Sequence, residues 1–122
     1  MGTRADFYVG KGKDAEWLGS IAYGAYPGNE LVLVTTCITE PAYRDAVRAL
    51  LARREDATTP EMGWPWPWDN SQGTDYAYCF NGSRVEVFCL GRFCDSSITK
   101  TEAPKAEFPD MTKIKKVTMG QR

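Results

Sequence analysis

Histidine is absent from this 122-residue sequence, which removes the side chain on which much enzyme chemistry depends. A Ser-His-Asp triad, a Cys-His pair, an imidazole acid or base and histidine-ligated metals all require it. Two acids in a polar stretch, Asp69 and Asp75, could still act as paired carboxylates flanking an open cleft, as in glycosidases. Routine turn roles explain the same residues, because Asp commonly caps loops and precedes strands.

The four cysteines do not have the spacing of a metal site. Structural zinc sites usually use closely spaced pairs, and only Cys89 and Cys94 form such a pair, while Cys37 and Cys79 stand alone. We therefore expect no metal and no cofactor. Cytosolic thiols are normally reduced, so we expect these cysteines to be free and to act as small apolar side chains.

The most unusual segment is Trp-Pro-Trp-Pro-Trp at residues 64–68, which holds three of the four tryptophans. One interpretation is that the indoles pack against an edge of the sheet and enlarge a small core. The other is that one or two remain exposed and bind a partner protein, because tryptophan is enriched at binding hot spots and proline stiffens the chain. The contact residues of this second interpretation are Trp64, Trp66, Trp68, Asp69 and Tyr76.

The charges are nearly balanced, with 15 basic and 16 acidic residues, which argues against a dedicated nucleic-acid binder. Residues 96–122 are mildly basic, and Lys113, Lys115 and Lys116 could contact nucleic acid or an acidic protein surface. A solvated chain end is the alternative. The first twenty residues show no signal peptide and no apolar run is long enough to span a membrane, so we expect a soluble cytoplasmic protein with no membrane contact.

The pattern of apolar residues predicts two hairpins and one helix. Residues 5–10 and 17–23 read as a first hairpin, with Trp17, Gly19 and Ile21 on one face of its second strand. Thr39 as a cap, Pro41 in the first turn and apolar residues at helical spacing predict an amphipathic helix over residues 40–54. A two-residue turn at residues 81–82 predicts a second hairpin.

These elements predict an α+β domain over residues 1–95, with a small antiparallel sheet packed against the main helix. Residues 31–38 remain ambiguous, because their β-branched composition suits a strand and their position suits a short helix. Residues 96–122 are polar and carry two prolines, so we expect a loose C-terminal arm.

The sequence resembles a group of small bacterial proteins carried on plasmids and integrative or conjugative elements. The resemblance covers most of residues 4–90 and depends on the patterns RADFYVG, EWLGSIA, GWPWPW and TDYAY. It implies no catalytic residues. It implies a context instead, since such elements often encode proteins that bind and disable host defence systems, including anti-CRISPR and anti-restriction proteins.

From this we expect a non-enzymatic interaction protein that binds and inhibits a host protein complex. Two other classes remain open. One is a carbohydrate-binding or carboxylate-dependent hydrolase module that uses Asp69, Asp75 and the indoles. The other is a nucleic-acid accessory protein that uses the basic C-terminal arm.

Overall fold

The chain folds into a four-stranded sheet with two helices, in a computed structural model that describes residues 3–10, 12–25, 31–90 and 108–111. The strands are β1 (Ala5–Val9), β2 (Glu16–Ile21), β3 (Tyr76–Phe80) and β4 (Val85–Cys89). The helices are α1 (Val32–Thr35) and α2 (Glu40–Ala52). Short 3-10 turns occur at Gly12–Asp14, Pro60–Met62 and Ser71–Gly73.

The strand order is β2-β1-β3-β4, and the predicted α+β class is confirmed. Both predicted hairpins form, since β1 pairs with β2 and β3 pairs with β4 in antiparallel fashion. The hairpins join through a parallel pairing of β1 with β3. The sheet is therefore mixed, not wholly antiparallel, because the chain crosses over one face through α2 before it returns beside β1.

Helix α2 begins as its sequence predicts. The Thr39 side chain accepts a hydrogen bond from the backbone N–H of Ala42 at 3.3 Å, and Pro41 lies in the first turn. The helix ends at Ala52, two residues before the predicted end. The ambiguous stretch before it contains the short helix α1, in which the Thr36 hydroxyl donates to the Val32 carbonyl at 2.8 Å.

The second hairpin does not have the predicted two-residue turn. Phe80 pairs with Val85, so four residues form the loop, and Cys79 lies opposite Glu86. The Asn81 backbone N–H donates to the Arg84 carbonyl at 3.0 Å, and its side-chain oxygen accepts from two backbone N–H groups of the loop. These bonds stabilise the wider loop. The register shifts by two residues, so each side chain keeps its predicted face.

A β-bulge changes which residues of β2 share a face. Phe7 pairs with Gly19 but Tyr8 pairs with Trp17, so Leu18 is an extra residue in β2. The prediction that Trp17 and Ile21 share a face was therefore wrong. They belong to separate apolar clusters.

Apolar side chains cover both faces of the sheet, whereas the sequence suggested one buried face. The first face packs against the helices, and its buried side chains include Phe7, Ile21, Tyr43, Leu50, Tyr78 and Phe80. The second face is covered by Tyr8, Ala15, Trp17, Trp64, Trp66, Ala77, Cys79, Phe108 and Met111. Both faces bury large aromatic side chains, which is how a chain of this length acquires enough core.

Cys89 departs from the expected thiol state. It is in a disulfide, whereas Cys37 and Cys79 keep their thiols. The expectation of reduced cysteines was therefore wrong for Cys89. Within the described ranges, no group of three or more potential ligands from His, Cys, Asp and Glu could hold a metal ion. None of the helices described is long and apolar enough to cross a membrane.

Candidate functional site

The tryptophan–proline segment lies across the second face of the sheet. Trp64 and Trp66 are only 1% and 9% exposed, and Trp68 is half-buried. Trp64 packs edge-on against Trp17 with ring centroids 5.2 Å apart, and Trp66 stacks on Trp68 at 5.6 Å. Of the two interpretations of this segment, intramolecular packing is therefore the one observed for Trp64 and Trp66. Neither is an exposed anchor for a partner.

The indole N–H groups also have partners within the chain. Trp64 donates to the Trp68 carbonyl at 2.6 Å, and Trp66 donates to the Asp6 carboxylate at 2.7 Å. The Arg4 guanidinium lies 5.8 Å and 5.6 Å from the ring centroids of Trp66 and Trp68, a cation–π distance. The prolines between the indoles supply no N–H that would need a partner.

The Asp6 carboxylate, on β1, organises this segment. It is fully buried, and one of its oxygens accepts from the Ser20 hydroxyl at 2.5 Å and from the Trp66 indole at 2.7 Å. Its other oxygen accepts from the hydroxyls of Ser71 at 2.5 Å and Thr74 at 2.7 Å. Four donors thus converge on one carboxylate, one from β2 and three from residues 60 to 68 positions further along the chain.

A second set of donors fixes the direction of this network. Each Ser or Thr hydroxyl has one proton, which it donates to Asp6, so its oxygen is left to accept. The Trp17 indole N–H donates to the Ser20 hydroxyl at 3.1 Å, and the Tyr8 hydroxyl donates to that of Ser71 at 2.6 Å. The Trp68 indole N–H donates to the Thr74 hydroxyl at 2.9 Å.

This arrangement suits an ionised carboxylate, which only accepts hydrogen bonds. Burial raises the pKa of Asp6 above its ordinary value, while its four hydrogen bonds act in the opposite direction. Burial, together with the nearby Asp6 charge, also raises the pKa of the Tyr8 hydroxyl. Both carboxylate oxygens are occupied by protein donors and neither is accessible to a substrate, so the network is structural.

The other predicted site residues do not gather around the indoles. Tyr76 is buried on the first face of the sheet, opposite the indoles, so it cannot border them. Asp69 is exposed at the end of the segment. Asp75 is buried, accepts from the Arg4 backbone N–H at 3.0 Å and lies 3.7 Å from the Arg4 guanidinium. Lys113, Lys115 and Lys116 lie outside the described residues.

Sequence reasoning missed Asp6 and the hydroxyl groups around it. The available signal was an acid between apolar neighbours in a strand, together with Ser20 on the paired strand. An isolated Asp in a strand ordinarily indicates a solvent-facing position. The donors that make its burial possible come from distant loops, which the local pattern does not show.

Exposed apolar side chains occur instead on the helix side of the molecule. Leu33 is 66% exposed and Ile38 is 73% exposed, and Val32 is also exposed. All three lie on α1 or on the connection to α2. We call Val32, Leu33 and Ile38 the elbow surface. Its neighbours Leu31 and Val34 are buried, so α1 directs one side to the core and the other to solvent.

A groove of about 260 Å³ lies between α2 and the 3-10 turn at Pro60–Met62. Leu18, Val47 and Leu51 contribute its apolar lining. Arg44 at its rim is ion-paired with Glu16 at 2.7 Å and Glu40 at 2.8 Å. Its charge is therefore already neutralised by neighbouring carboxylates.

Comparison of the chain with known protein families, with curated proteins and with solved structures finds no match.

Proposed function

We propose that this chain is a non-enzymatic interaction protein that binds a protein partner through the elbow surface. The observation that carries the proposal is the exposure of Leu33 and Ile38, two large aliphatic side chains five positions apart. Single exposed apolar residues are common, but a group of them is typical of an interaction site. Among the described residues, the second face of the sheet offers no comparable surface, because Trp64 and Trp66 pack within the chain.

The partner class we propose is a host protein complex of a bacterial defence system, such as a CRISPR or restriction complex. The support is the resemblance to small proteins of mobile elements, and the action is inhibition by stoichiometric binding. The cytoplasm is the compartment that this partner requires. A disulfide at Cys89 is unusual there, so thiol titration of protein taken directly from the cytoplasm would test that part of the proposal.

The test compares three chains in bacteria that restrict a phage through a defined CRISPR or restriction system. We expect the wild type to raise phage plating efficiency and to co-purify with the defence complex. The double substitution Leu33→Asp and Ile38→Asp should abolish both the plating effect and co-purification, while the circular dichroism spectrum is retained. We expect the loss of binding to reach about 2 kcal/mol or more, the level of a hot spot.

Met62→Ala is the control, since Met62 is also a large exposed apolar residue but lies on the 3-10 turn at Pro60–Met62 and not on α1. It should leave capture and plating unchanged. Retained binding by the folded double variant would remove the elbow surface from the proposal. Failure of the wild type in every defence system tested would remove the partner class.

No observation in the described part of the chain favours the two alternative functions. Asp75 is buried and bonded to Arg4, so Asp69 and Asp75 do not provide the two accessible carboxylates that a hydrolase needs. The lysines of the nucleic-acid hypothesis lie outside the described residues. Both remain hypotheses from the sequence.

A further inference from the structure

A short segment near the end of the sequence, residues 108–111, packs on the second face of the sheet. Phe108 is 6% exposed and Met111 is 3% exposed. The polar sequence predicts a loose arm here, and these four residues depart from that expectation. They form no helix or strand, and the Met111 backbone N–H donates to the Asp69 carbonyl at 2.8 Å. Two apolar side chains and a main-chain bond thus hold an irregular segment in place.

The surface that receives Phe108 is a trough over β3. On this face β3 carries two small side chains, Ala77 and Cys79. The strand register places Tyr8 of β1 beside Cys79, and Phe88 of β4 beside Ala77. The Phe108 ring centroid lies 5.7 Å from that of Tyr8 and 5.9 Å from that of Phe88, so the ring bridges β3. The two aromatic rings form the walls of the trough, and the small side chains form its floor.

The shape of the trough suits an aromatic side chain. The trough accommodates a planar aromatic ring between two aromatic walls, which prefer tilted and edge-on contacts such as those observed. Met111 fills the space beside it with a flexible apolar side chain. Pro109 between them restricts the backbone, which lowers the entropy lost when such a segment binds.

We propose that this trough is a peptide-binding site, whose occupant is the Phe-Pro-Asp-Met sequence of residues 108–111. In one molecule the chain's own segment fills the site, and a second copy of the chain can supply the same segment in trans. The proposal is independent of the proposed function, because the trough and the elbow surface are on opposite faces of the sheet. It assigns a ligand sequence to the second face.

The chain is long enough for the segment to come from the same molecule or from a second copy. Seventeen residues separate Leu90 from Phe108 in the sequence, enough to span up to about 56 Å when extended. A segment tethered to its own site has an effective concentration that reaches the millimolar range for a short linker. The wild-type site should therefore be filled by its own segment and bind an added peptide weakly.

The test uses the full chain with Phe108→Ala and Met111→Ala and a fluorescent peptide that spans residues 105–114. Fluorescence anisotropy should show binding of this peptide to the double variant. Binding to the wild type, and binding of a peptide with alanine at both anchor positions, should each be at least about tenfold weaker, because the tethered segment competes or the anchors are missing. A folded double variant that binds both peptides equally, or neither, would overturn the proposal.

A second experiment does not require that variant to fold. A specific protease site is introduced into the otherwise wild-type chain between residues 100 and 105, and the folded protein is then cleaved. The C-terminal fragment should stay with the body on gel filtration. Excess 105–114 peptide should release it, and the alanine peptide should not. A fragment that separates on cleavage without any competitor would show that the trough has no affinity for it.

Discussion

At the scale of single residues, Asp6 determines how the tryptophan segment is held. A buried charge is costly unless donors replace the water it has lost. Here the carboxylate receives two hydrogen bonds on each oxygen, and the hydroxyls among its donors are themselves oriented by Trp17, Tyr8 and Trp68. No buried side-chain nitrogen or oxygen in the described ranges lacks a hydrogen-bond partner. The four donors stabilise the Asp6 charge, and the carboxylate in turn fixes the positions of these donors.

Asp6→Asn should destabilise the fold more than any exposed acid-to-amide change. The amide nitrogen would replace an oxygen that accepts from two donors, and would direct its own hydrogens at them. A hydrogen bond to a charged group contributes about 1.5 to 3 kcal/mol, so losing two should lower the free energy of unfolding by about 3 kcal/mol or more. Urea denaturation followed by tryptophan fluorescence measures this loss.

Asp14→Asn is the control, since Asp14 is exposed in the turn between β1 and β2. Its effect should stay within about 0.5 kcal/mol. Equal stability of the Asp6 and Asp14 variants would show that Asp6 is not needed as a charged acceptor.

The half-buried acid Asp56 makes stability depend on pH. Asp56 accepts two hydrogen bonds from the Arg54 guanidinium, at 2.7 and 2.9 Å, and two from the backbone N–H groups of Ala22 and Tyr23. Burial alone would raise the pKa of Asp56, but these hydrogen bonds outweigh it and hold the pKa below its ordinary value. The Asp56 carboxylate thereby links the chain that follows α2 to the residues that follow β2.

Because the pKa of Asp56 is lower in the folded state, the unfolded chain binds the proton more readily as the pH falls. The stabilisation is present above the unfolded pKa of about 3.9 and is lost as the pH falls through the folded value. We expect the stability difference between wild type and Asp56→Asn to be largest near neutral pH and to shrink below about pH 4. Urea midpoints of both proteins across this range measure it. A difference independent of pH would contradict the assignment.

At the scale of elements, the outer edge of β2 depends on a glycine. Ser20 and Thr58 form an antiparallel bridge with two backbone hydrogen bonds of 2.9 and 2.8 Å. Pro60 follows two positions later and ends this pairing, because proline has no N–H to donate. The bulge, the bridge and the proline together leave little open edge for another strand. The bridge requires Thr58 to lie very close to β2.

Gly19→Ala should therefore disturb both the edge and the helix packing. A Cβ at residue 19 would lie 2.5 Å from a Leu51 methyl carbon and 2.7 Å from the Thr58 carbonyl oxygen. The expected loss in free energy of unfolding is about 1 to 3 kcal/mol from overpacking, in addition to the cost of the positive φ of 147°.

Gly12→Ala separates these two costs, since Gly12 also has a positive φ, of 74°, but a Cβ there meets nothing within 4 Å. Chemical denaturation should show the larger loss for residue 19. If the two variants are equally stable, the close approach of Leu51 and Thr58 does not limit this position.

At the scale of the whole molecule, the sequence predicts local features well and non-local ones poorly. The cap at Thr39, the apolar spacing of α2 and the two hairpins follow from neighbours in the chain. The parallel pairing of β1 with β3 and the convergence of Ser71 and Thr74 on Asp6 join residues about seventy positions apart. Composition alone marks the tryptophan segment as unusual. Its burial depends on the second sheet face, which no local pattern reveals.

This architecture predicts that the two faces unfold together. All four tryptophans pack on the second face, whereas α2 packs on the first, so tryptophan fluorescence and far-ultraviolet circular dichroism report on opposite sides of one sheet. Neither cluster can lose its packing while the other keeps the strands that both require. The two signals should therefore give the same urea midpoint, as two-state unfolding requires.

Leu50→Ala, which removes a buried side chain beneath α2, should lower the free energy of unfolding by about 2 to 5 kcal/mol. The urea midpoints from the two signals should fall by the same amount. A fluorescence transition that stays in place while the helix signal shifts would show that the sheet's two faces are separate folding units.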